Sequence, residues 1–157
     1  MRLLLFKVLL MILPSGLISE EKDYIREYYG NGTLMAEGWK EGNVKEDYWY
    51  YYFPDGKIQK KGAYKNNRQN GYWYFYTPQG KLLREGHFIK GKKNGWWKEY
   101  ESTYVRELKY NDGKREGFAL IYMKGDLKKV EKYSNDIKMG EWTSLLGFKR
   151  DNPNVKF

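Results

Sequence analysis

Residue types that carry enzyme chemistry are sparse in this chain of 157 residues. It contains no cysteine and a single histidine, His87, which excludes disulfides, thiolate metal sites, cysteine nucleophiles and mechanisms that need two histidines. Glu37, Glu85 and Glu107 recur at equivalent places of a repeated pattern, and paired carboxylates are the groups that glycosidases use. The same place in another repeat holds Lys61, so we interpret these acids as parts of a charge ladder across neighbouring strands.

The glycines and the histidine have structural interpretations as well. No Gly-Lys-Ser or Gly-Lys-Thr stretch occurs, so the sequence lacks a phosphate-binding loop of that type. His87 takes the place of Trp39 and Ala63 in sister repeats, and a general base there would have no nucleophile beside it. The sequence therefore predicts a protein that is not an enzyme and that holds no metal or other cofactor.

The composition combines polarity with many aromatic rings. Aromatic residues make up 18% of the chain while the mean hydropathy is −0.88, so much of the apolar area comes from rings with polar ends. Disordered chains are poor in aromatic residues, and we therefore expect a folded domain. The formal net charge of +9 is spread along the chain and interleaved with acids, which disfavours a nucleic-acid partner.

The first 19 residues differ in kind from the rest. Arg2 precedes a largely apolar stretch over residues 3–13, and a small-residue turn and then acids follow it. This layout is typical of a secretory signal peptide, and the apolar stretch is shorter than the roughly 20 residues that a membrane span needs. Residues 1–19 therefore predict export to the periplasm or cell envelope. Because Lys7 interrupts the apolar stretch, an uncleaved membrane anchor and a buried N-terminal element stay open as alternatives.

The remaining sequence repeats one motif. Residues 23–38, 47–62 and 71–86 align at a spacing of 24 residues, and each unit begins as Gly-x-Trp-x-x-Tyr or a degenerate form of it. Aromatic and β-branched residues favour strands, and no segment shows the apolar spacing of a helix. The predicted fold class is all-β: an antiparallel meander of about five to six β-hairpins in an elongated, single-layer, twisted sheet. This domain covers residues 20–150, and residues 151–157 are a tail.

Glycine marks the turns and the strand pairs of each unit. A three-residue turn at Pro54-Asp55-Gly56, with the glycine left-handed, sets Tyr48 opposite Gly62, whereas a two-residue turn sets Trp49 there. We favour the three-residue turn because Pro54 cannot donate the hydrogen bond of the tighter one. In either register an aromatic ring folds over the bare backbone of the repeated glycine. The structural glycines are Gly32, Gly38, Gly56, Gly62, Gly80, Gly86, Gly95, Gly117 and Gly140.

These repeats resemble the bacterial variant of the MORN repeat. The best matches are YFPDGKIQKKGAYKNNRQNGYWYFY, residues 52–76, and YTPQGKLLREGHFIKGKKNGWWKEY, residues 76–100. The resemblance extends over roughly residues 24–145 and implies a hairpin array that binds other molecules, because many such bacterial chains belong to the YwqK-type antitoxin family. Ala119 stands where the pattern has tryptophan, and the last unit stops early, so we expect a cap at this end. Residues 32–56 also resemble one choline-binding repeat, which builds aromatic cages for quaternary ammonium groups.

Two surfaces of the predicted sheet are candidates for binding. Alternation along residues 48–53 points Trp49, Tyr51 and Phe53 to one face and Tyr48, Tyr50 and Tyr52 to the other. A single layer leaves some rings partly exposed, and tyrosine and tryptophan are preferred at binding hot spots. The candidate partner-binding residues are Trp49, Tyr50, Tyr51, Trp73, Tyr74 and Trp97. The second surface is a basic edge where polar loops stack, formed by Lys65, Arg68, Lys90, Lys92, Lys93, Lys114 and Arg115.

The sequence thus predicts an exported, non-enzymatic repeat protein that binds a protein partner through an aromatic sheet. Neutralisation of a toxin, as by an antitoxin or immunity protein, is the most concrete form of this prediction. The alternative is a cell-envelope module that binds a choline-like group, a glycan or anionic lipid, or that has a structural role. The end strands of an open sheet are unpaired, so edge-to-edge dimers stay open.

Overall fold

The computed structural model describes residues 21–156, and the predicted signal peptide, residues 1–19, lies outside the described residues. Within this part the chain forms one open antiparallel sheet of eleven strands, and the strand order is the order of the sequence. The elements are β1 Lys22–Tyr28, β2 Leu34–Glu41, β3 Val44–Tyr52, β4 Ile58–Lys65, β5 Arg68–Tyr76, β6 Leu82–Ile89, β7 Lys92–Tyr100, β8 Val105–Asn111, β9 Lys114–Met123, β10 Asp126–Ser134, β11 Ile137–Trp142 and α1 Leu145–Asp151. The predicted all-β hairpin meander is confirmed.

The Pro54-Asp55-Gly56 connection is the three-residue turn that the sequence predicts. The N–H of Phe53 donates to the carbonyl of Lys57 at 2.8 Å, and Gly56 has a φ of 82°. A residue with a side chain is strained at such a φ, which explains the glycine. Gly32 and Gly80 occupy the same turn position in their hairpins, with φ of 84° and 80°.

The predicted pairing of Tyr48 with Gly62 is wrong. The register shifts between Tyr51 and Tyr52 because β4 carries one extra residue there, and Trp49 therefore lies opposite Gly62. Such a β-bulge lets a three-residue turn coexist with the register that a two-residue turn would give.

One row of residues crosses the sheet and alternates between glycine and tryptophan. In register order it reads Ile25, Gly38, Trp49, Gly62, Trp73, Gly86, Trp97, Leu108 and Ala119. A Cβ atom on Gly38, Gly62 or Gly86 would lie 2.4 Å from the indole of the tryptophan on the next strand. The ring over each glycine is thus confirmed, but it comes from the following strand and not from the preceding one.

A second bulge opens four of the repeats. Asp47, Gly71, Gly95 and Gly117 have φ of 53°, 81°, 69° and 92°, and the pairing of their strand with the preceding strand shifts register at each of them. Glycine adopts this left-handed conformation without a steric penalty, and aspartate is among the few other residues that tolerate it. The opening glycine of the repeat is therefore a requirement of the backbone.

The C-terminal end carries a short helix that the sequence did not predict. Ser144 caps α1 by accepting a hydrogen bond from the N–H of Gly147 at 3.3 Å, and Phe148 is buried against Leu120 and Val130. With seven residues, α1 offers only two turns, too few for a recognisable apolar period. It runs across the predicted boundary between residues 150 and 151 and covers the last strands, as a cap does.

Candidate protein-binding surface

The two faces of the sheet differ in how they treat their rings. We name the side that bears Trp49, Trp73 and Trp97 the tryptophan face, and the side that bears Tyr48 and Tyr72 the tyrosine face. Ring contacts follow the predicted alternation: Trp49 stacks with Tyr51 and Tyr48 packs against Tyr50. Tyr50 and Tyr51, although adjacent in sequence, thus belong to different surfaces.

Within residues 21–156, the tryptophan face buries its indoles without a second protein layer. Trp49, Trp73 and Trp97 are each 0% exposed, because neighbouring rings and long cationic side chains cover them. The Lys45 ammonium lies 4.1 Å from the ring of Trp49, and that of Lys93 lies 4.3 Å from the ring of Trp97. Burial lowers the pKa of both lysines, which agrees with their position over the rings.

Hydrogen bonds fix the three indoles in place. The Nε1–H groups of Trp49, Trp73 and Trp97 each donate to a backbone carbonyl of the preceding strand at 2.9 Å. These tryptophans therefore form the core of the sheet, and their surfaces are not open to a partner. Of the six predicted partner-binding residues, Tyr50, Tyr51 and Tyr74 remain partly exposed.

The tyrosine face leaves large rings open to solvent. Tyr24, Trp39, Tyr48 and Trp96 are 43%, 39%, 37% and 45% exposed. They belong to an outer row on β1–β7, which we define as Tyr24, Trp39, Tyr48, Ala63, Tyr72, His87 and Trp96. Tyr24 meets Trp39 edge to face with ring centroids 5.1 Å apart, and Tyr72 meets His87 in the same way at 5.0 Å. His87 is therefore a packing residue on this face, in agreement with its structural interpretation.

A second row on this face consists of charged residues and two tyrosines. The central row, in register across β1–β8, reads Arg26, Glu37, Tyr50, Lys61, Tyr74, Glu85, Lys98 and Glu107. Arg26 pairs with Glu37 at 3.3 Å and Lys98 with Glu107 at 2.8 Å, which confirms the predicted charge ladder.

Two tyrosines anchor the acids of this ladder. The hydroxyl of Tyr52 donates to Glu37 at 2.7 Å, and that of Tyr100 donates to Glu85 at 2.5 Å. Burial, and then the hydrogen bond to the acid, raise the pKa of both phenols. The hydrogen bond from Tyr52 is the main cause that lowers the pKa of Glu37. The two hydrogen bonds therefore hold Glu37 and Glu85 in a fixed geometry on this face.

The same face is covered at the C-terminal end. The central row continues through Leu120, Val130 and Trp142 on β9–β11, where polar residues give way to apolar ones. Phe148 of α1 packs on this segment, 5.4 Å from the ring of Trp142, and is 1% exposed. A helix with an aromatic anchor thus covers the apolar segment on β9–β11, while β1–β7 carry no such cover within residues 21–156.

Sequence reasoning missed Tyr24, Trp39, Tyr48 and Trp96, although the repeats contain a signal for them. In Gly-x-Trp the tryptophan recurs together with the glycine it covers, so its recurrence is explained by the fold. The x residue and the residue after the covered glycine vary between units. Positions that the fold does not constrain are the ones available for recognition.

The predicted basic edge exists as a stack of turns. The N–H of Gly91 donates to the carbonyl of Gln69 at 2.8 Å, and that of Gly113 donates to the carbonyl of Lys93 at 2.8 Å. Each turn thus rests on the strand of the preceding hairpin. The loops therefore align at one end of the sheet, as the repeat predicts.

The basic side chains of this edge have different surroundings. Lys92 pairs with Asp112 at 2.7 Å and Arg115 with Asp136 at 3.1 Å, while Lys93 turns towards the tryptophan face. An exposed basic groove of about 380 Å³ remains, lined by Lys65, Asn66, Arg68, Asn70 and Lys90. Lys114 is exposed in a later turn. Only part of the predicted edge is therefore free for an anionic ligand.

In the part of the chain that the structure describes, no three His, Asp or Glu side chains are placed to hold a metal ion together. No helix there is long and apolar enough to cross a membrane. Comparison with protein-family models gives no match to this chain, and comparison with curated proteins gives none either.

Proposed function

We propose that this chain is an exported, non-enzymatic repeat protein that binds a protein partner through the tyrosine face of β1–β7. One observation carries the proposal: exposed Tyr and Trp rings line this face, while α1 covers the same face on β9–β11. Contiguous exposed aromatic surface marks binding sites on soluble proteins. Tyrosine and tryptophan are also the residues that interface hot spots prefer.

The rigidity of the face supports the same proposal. The covered glycines, the buried indoles and the Glu37 and Glu85 hydrogen bonds hold the rings in register through contacts within the sheet. A pre-ordered surface loses less conformational entropy on binding, so more of its contact energy appears as affinity. The resemblance to bacterial MORN repeats supports a binding role, and neutralisation of a toxin is the form of it that we favour.

The test is capture of a partner from the source cells with matched variants. Trp39→Ala and Trp96→Ala remove exposed rings, and each should weaken binding of the captured protein by about ten-fold or more. Leu146→Ala removes an apolar side chain that is 82% exposed on α1 and should leave binding unchanged. A captured protein that binds all three variants equally would contradict the proposal.

A second candidate function follows from the basic groove at Lys65, Arg68 and Lys90. These side chains line one open concavity without an acid among its lining residues, so an anionic glycan or lipid headgroup suits it. Arg68→Glu should then abolish retention on anionic vesicles or acidic polysaccharide while capture of the protein partner persists. Retention of neither ligand by the wild-type chain would exclude this function.

A further inference from the structure

The outer row of the tyrosine face is built from pairs of rings. On β1 and β2, Tyr24 lies directly opposite Trp39, and on β5 and β6, Tyr72 lies directly opposite His87. Both pairs meet edge to face, with centroids 5.1 Å and 5.0 Å apart. This is the arrangement that aromatic quadrupoles favour.

The equivalent pair on β3 and β4 lacks one of its two rings. On β3 and β4, Tyr48 lies directly opposite Ala63, whose methyl group cannot supply the ring that Trp39 and His87 supply elsewhere. The ring of Tyr48 is 37% exposed and contacts Tyr50 on its own strand. The repeat therefore has an aromatic slot whose floor is Ala63 and whose nearest wall is Tyr48.

The sister repeats show how a ring sits in such a slot. Trp39 meets Tyr24 and His87 meets Tyr72 edge to face, in each case the ring directly opposite on the preceding strand. A ring placed over Ala63 would meet Tyr48 in the same way, because Tyr48 lies opposite Ala63 on β3, whereas the residue opposite Ala63 on β5 is Asn70.

A cation lies beside the slot. Lys61 is two residues from Ala63 on the same strand and face, where sister repeats have Glu37 and Glu85. Its ammonium lies 5.4 Å from the ring of Tyr74, and within residues 21–156 it has no acidic partner at salt-bridge distance. On β7 and β8, Lys109 lies opposite Trp96, so that pair lacks a second ring as well, but Glu107 keeps the acid there. The second repeat is therefore the one that combines a missing ring with a reversed charge at two neighbouring places on one face.

We propose that the slot over Ala63 receives an aromatic side chain of the protein partner, and that a carboxylate next to that side chain pairs with Lys61. The proposal deepens the proposed function and rests on it. The cation argues against a quaternary ammonium ligand here, because like charges would meet. A partner segment that carries an acidic residue beside Trp, Tyr or Phe matches both departures.

A probe that does not need the natural partner tests the slot first. Capped dipeptides Trp-Asp, Trp-Lys and Ala-Asp are titrated into the full chain with ¹³C-labelled alanine methyl groups, and the Ala63 methyl is followed by NMR. We expect Trp-Asp to shift this methyl and to bind about five-fold or more tighter than Trp-Lys, in keeping with one charge pair at a partly exposed site. No shift of the Ala63 methyl, or equal binding of all three, would overturn the proposal.

Filling the slot from within is the second test. Ala63→Trp reproduces the residue of β2, so the variant should melt at or above the wild-type temperature and lose Trp-Asp binding. The same variant should weaken the captured partner about ten-fold or more, whereas Leu146→Trp, which adds the same side chain on α1, should not. Lys61→Glu should remove the preference for Trp-Asp over Trp-Lys.

These experiments distinguish failure of the slot proposal from failure of the proposed function. If Trp39→Ala and Trp96→Ala weaken the captured partner but Ala63→Trp does not, the tyrosine face binds and the slot is wrong. If Trp-Asp binds over Ala63 but no variant of the tyrosine face affects the captured partner, the slot exists and the proposed function is wrong.

Discussion

Gly62→Ala adds one methyl group at the most crowded point of the sheet. The new Cβ would lie 2.4 Å and 2.5 Å from two ring atoms of Trp73, whereas carbon atoms in contact are about 3.5–4.0 Å apart. The ring must therefore move by about 1 Å, yet Trp73 is fully buried and its Nε1–H donates to the Ala63 carbonyl at 2.9 Å. Overpacking costs about 1–3 kcal/mol, and a weakened hydrogen bond of a buried donor adds about 1–3 kcal/mol. We expect a loss of about 3 kcal/mol in the free energy of unfolding.

The measurement is urea unfolding followed by far-UV circular dichroism, with hydrogen exchange of the Trp73 indole as a local readout. Exchange of that indole should accelerate more than exchange of the Trp49 indole, because the covered glycine of Trp49 is unchanged. Gly30→Ala is the matched control: no atom lies within 4 Å of its added Cβ and its φ is not left-handed. This control should be neutral, or stabilising by about 0.5 kcal/mol.

A double-mutant cycle isolates the steric cause. Trp73→Ala alone should cost about 3–5 kcal/mol, as large-to-small substitutions in a core do. In that background Gly62→Ala has no ring to displace and should cost less than about 0.5 kcal/mol. Costs that simply add, or wild-type stability of Gly62→Ala, would refute the explanation of the glycine–tryptophan row.

Three further predictions concern the end of the array and its bulges. Hydrogen bonds from its neighbours outweigh burial and lower the pKa of Glu131 to about 2 from 4.5, so its stabilisation is complete above about pH 4.5 and is lost as the pH falls towards 2. Acid titration of stability should show a loss of about 2–3 kcal/mol that Glu131→Gln lacks. Phe148→Ala should cost about 3–5 kcal/mol in urea unfolding, whereas Leu146→Ala, at an exposed place on the same helix, should be nearly neutral. Asp47→Gly should be neutral or slightly stabilising in thermal melts because glycine relieves the φ of 53°, whereas Gly71→Val, at a φ of 81°, should cost about 1–3 kcal/mol.

The repeat made the fold predictable from the sequence, because a spacing of 24 residues fixes which turns and strands are equivalent. The Pro54-Asp55-Gly56 turn followed from turn chemistry and is confirmed. The strand register did not follow, because the extra residue in β4 near Tyr51 leaves no mark in the hydrophobic pattern. A bulge of one residue exchanges the pairing partners of a whole hairpin.

The site was less predictable for a related reason. Alternation correctly separates Tyr50 from Tyr51, but it does not say which face is the buried one when both carry rings. The preference of hot spots for tryptophan favoured Trp49, Trp73 and Trp97, which the structure buries. Which face is buried depends on glycine. An indole packs flat against a strand where the residue opposite is glycine, whereas the side chain of Ala63 or Trp39 prevents such packing on the other face.

The C-terminal strands, β8–β11, limit where on the sheet a partner can bind. On β8 and β9, Leu108 and Ala119 take the places of glycine and tryptophan in the row that crosses the sheet. The larger side chain of this pair is therefore on the even-numbered strand, whereas in the earlier pairs it is on the odd-numbered strand. The next residue of that row is Glu131, which is 4% exposed and held by Lys129 and Lys138 at 2.9 Å and 3.2 Å. A charged, fully paired residue at this place removes the apolar surface on which another repeat would stack. Because α1 closes the other face of the same strands, the open aromatic surface is confined to β1–β7, where the slot over Ala63 lies near its middle.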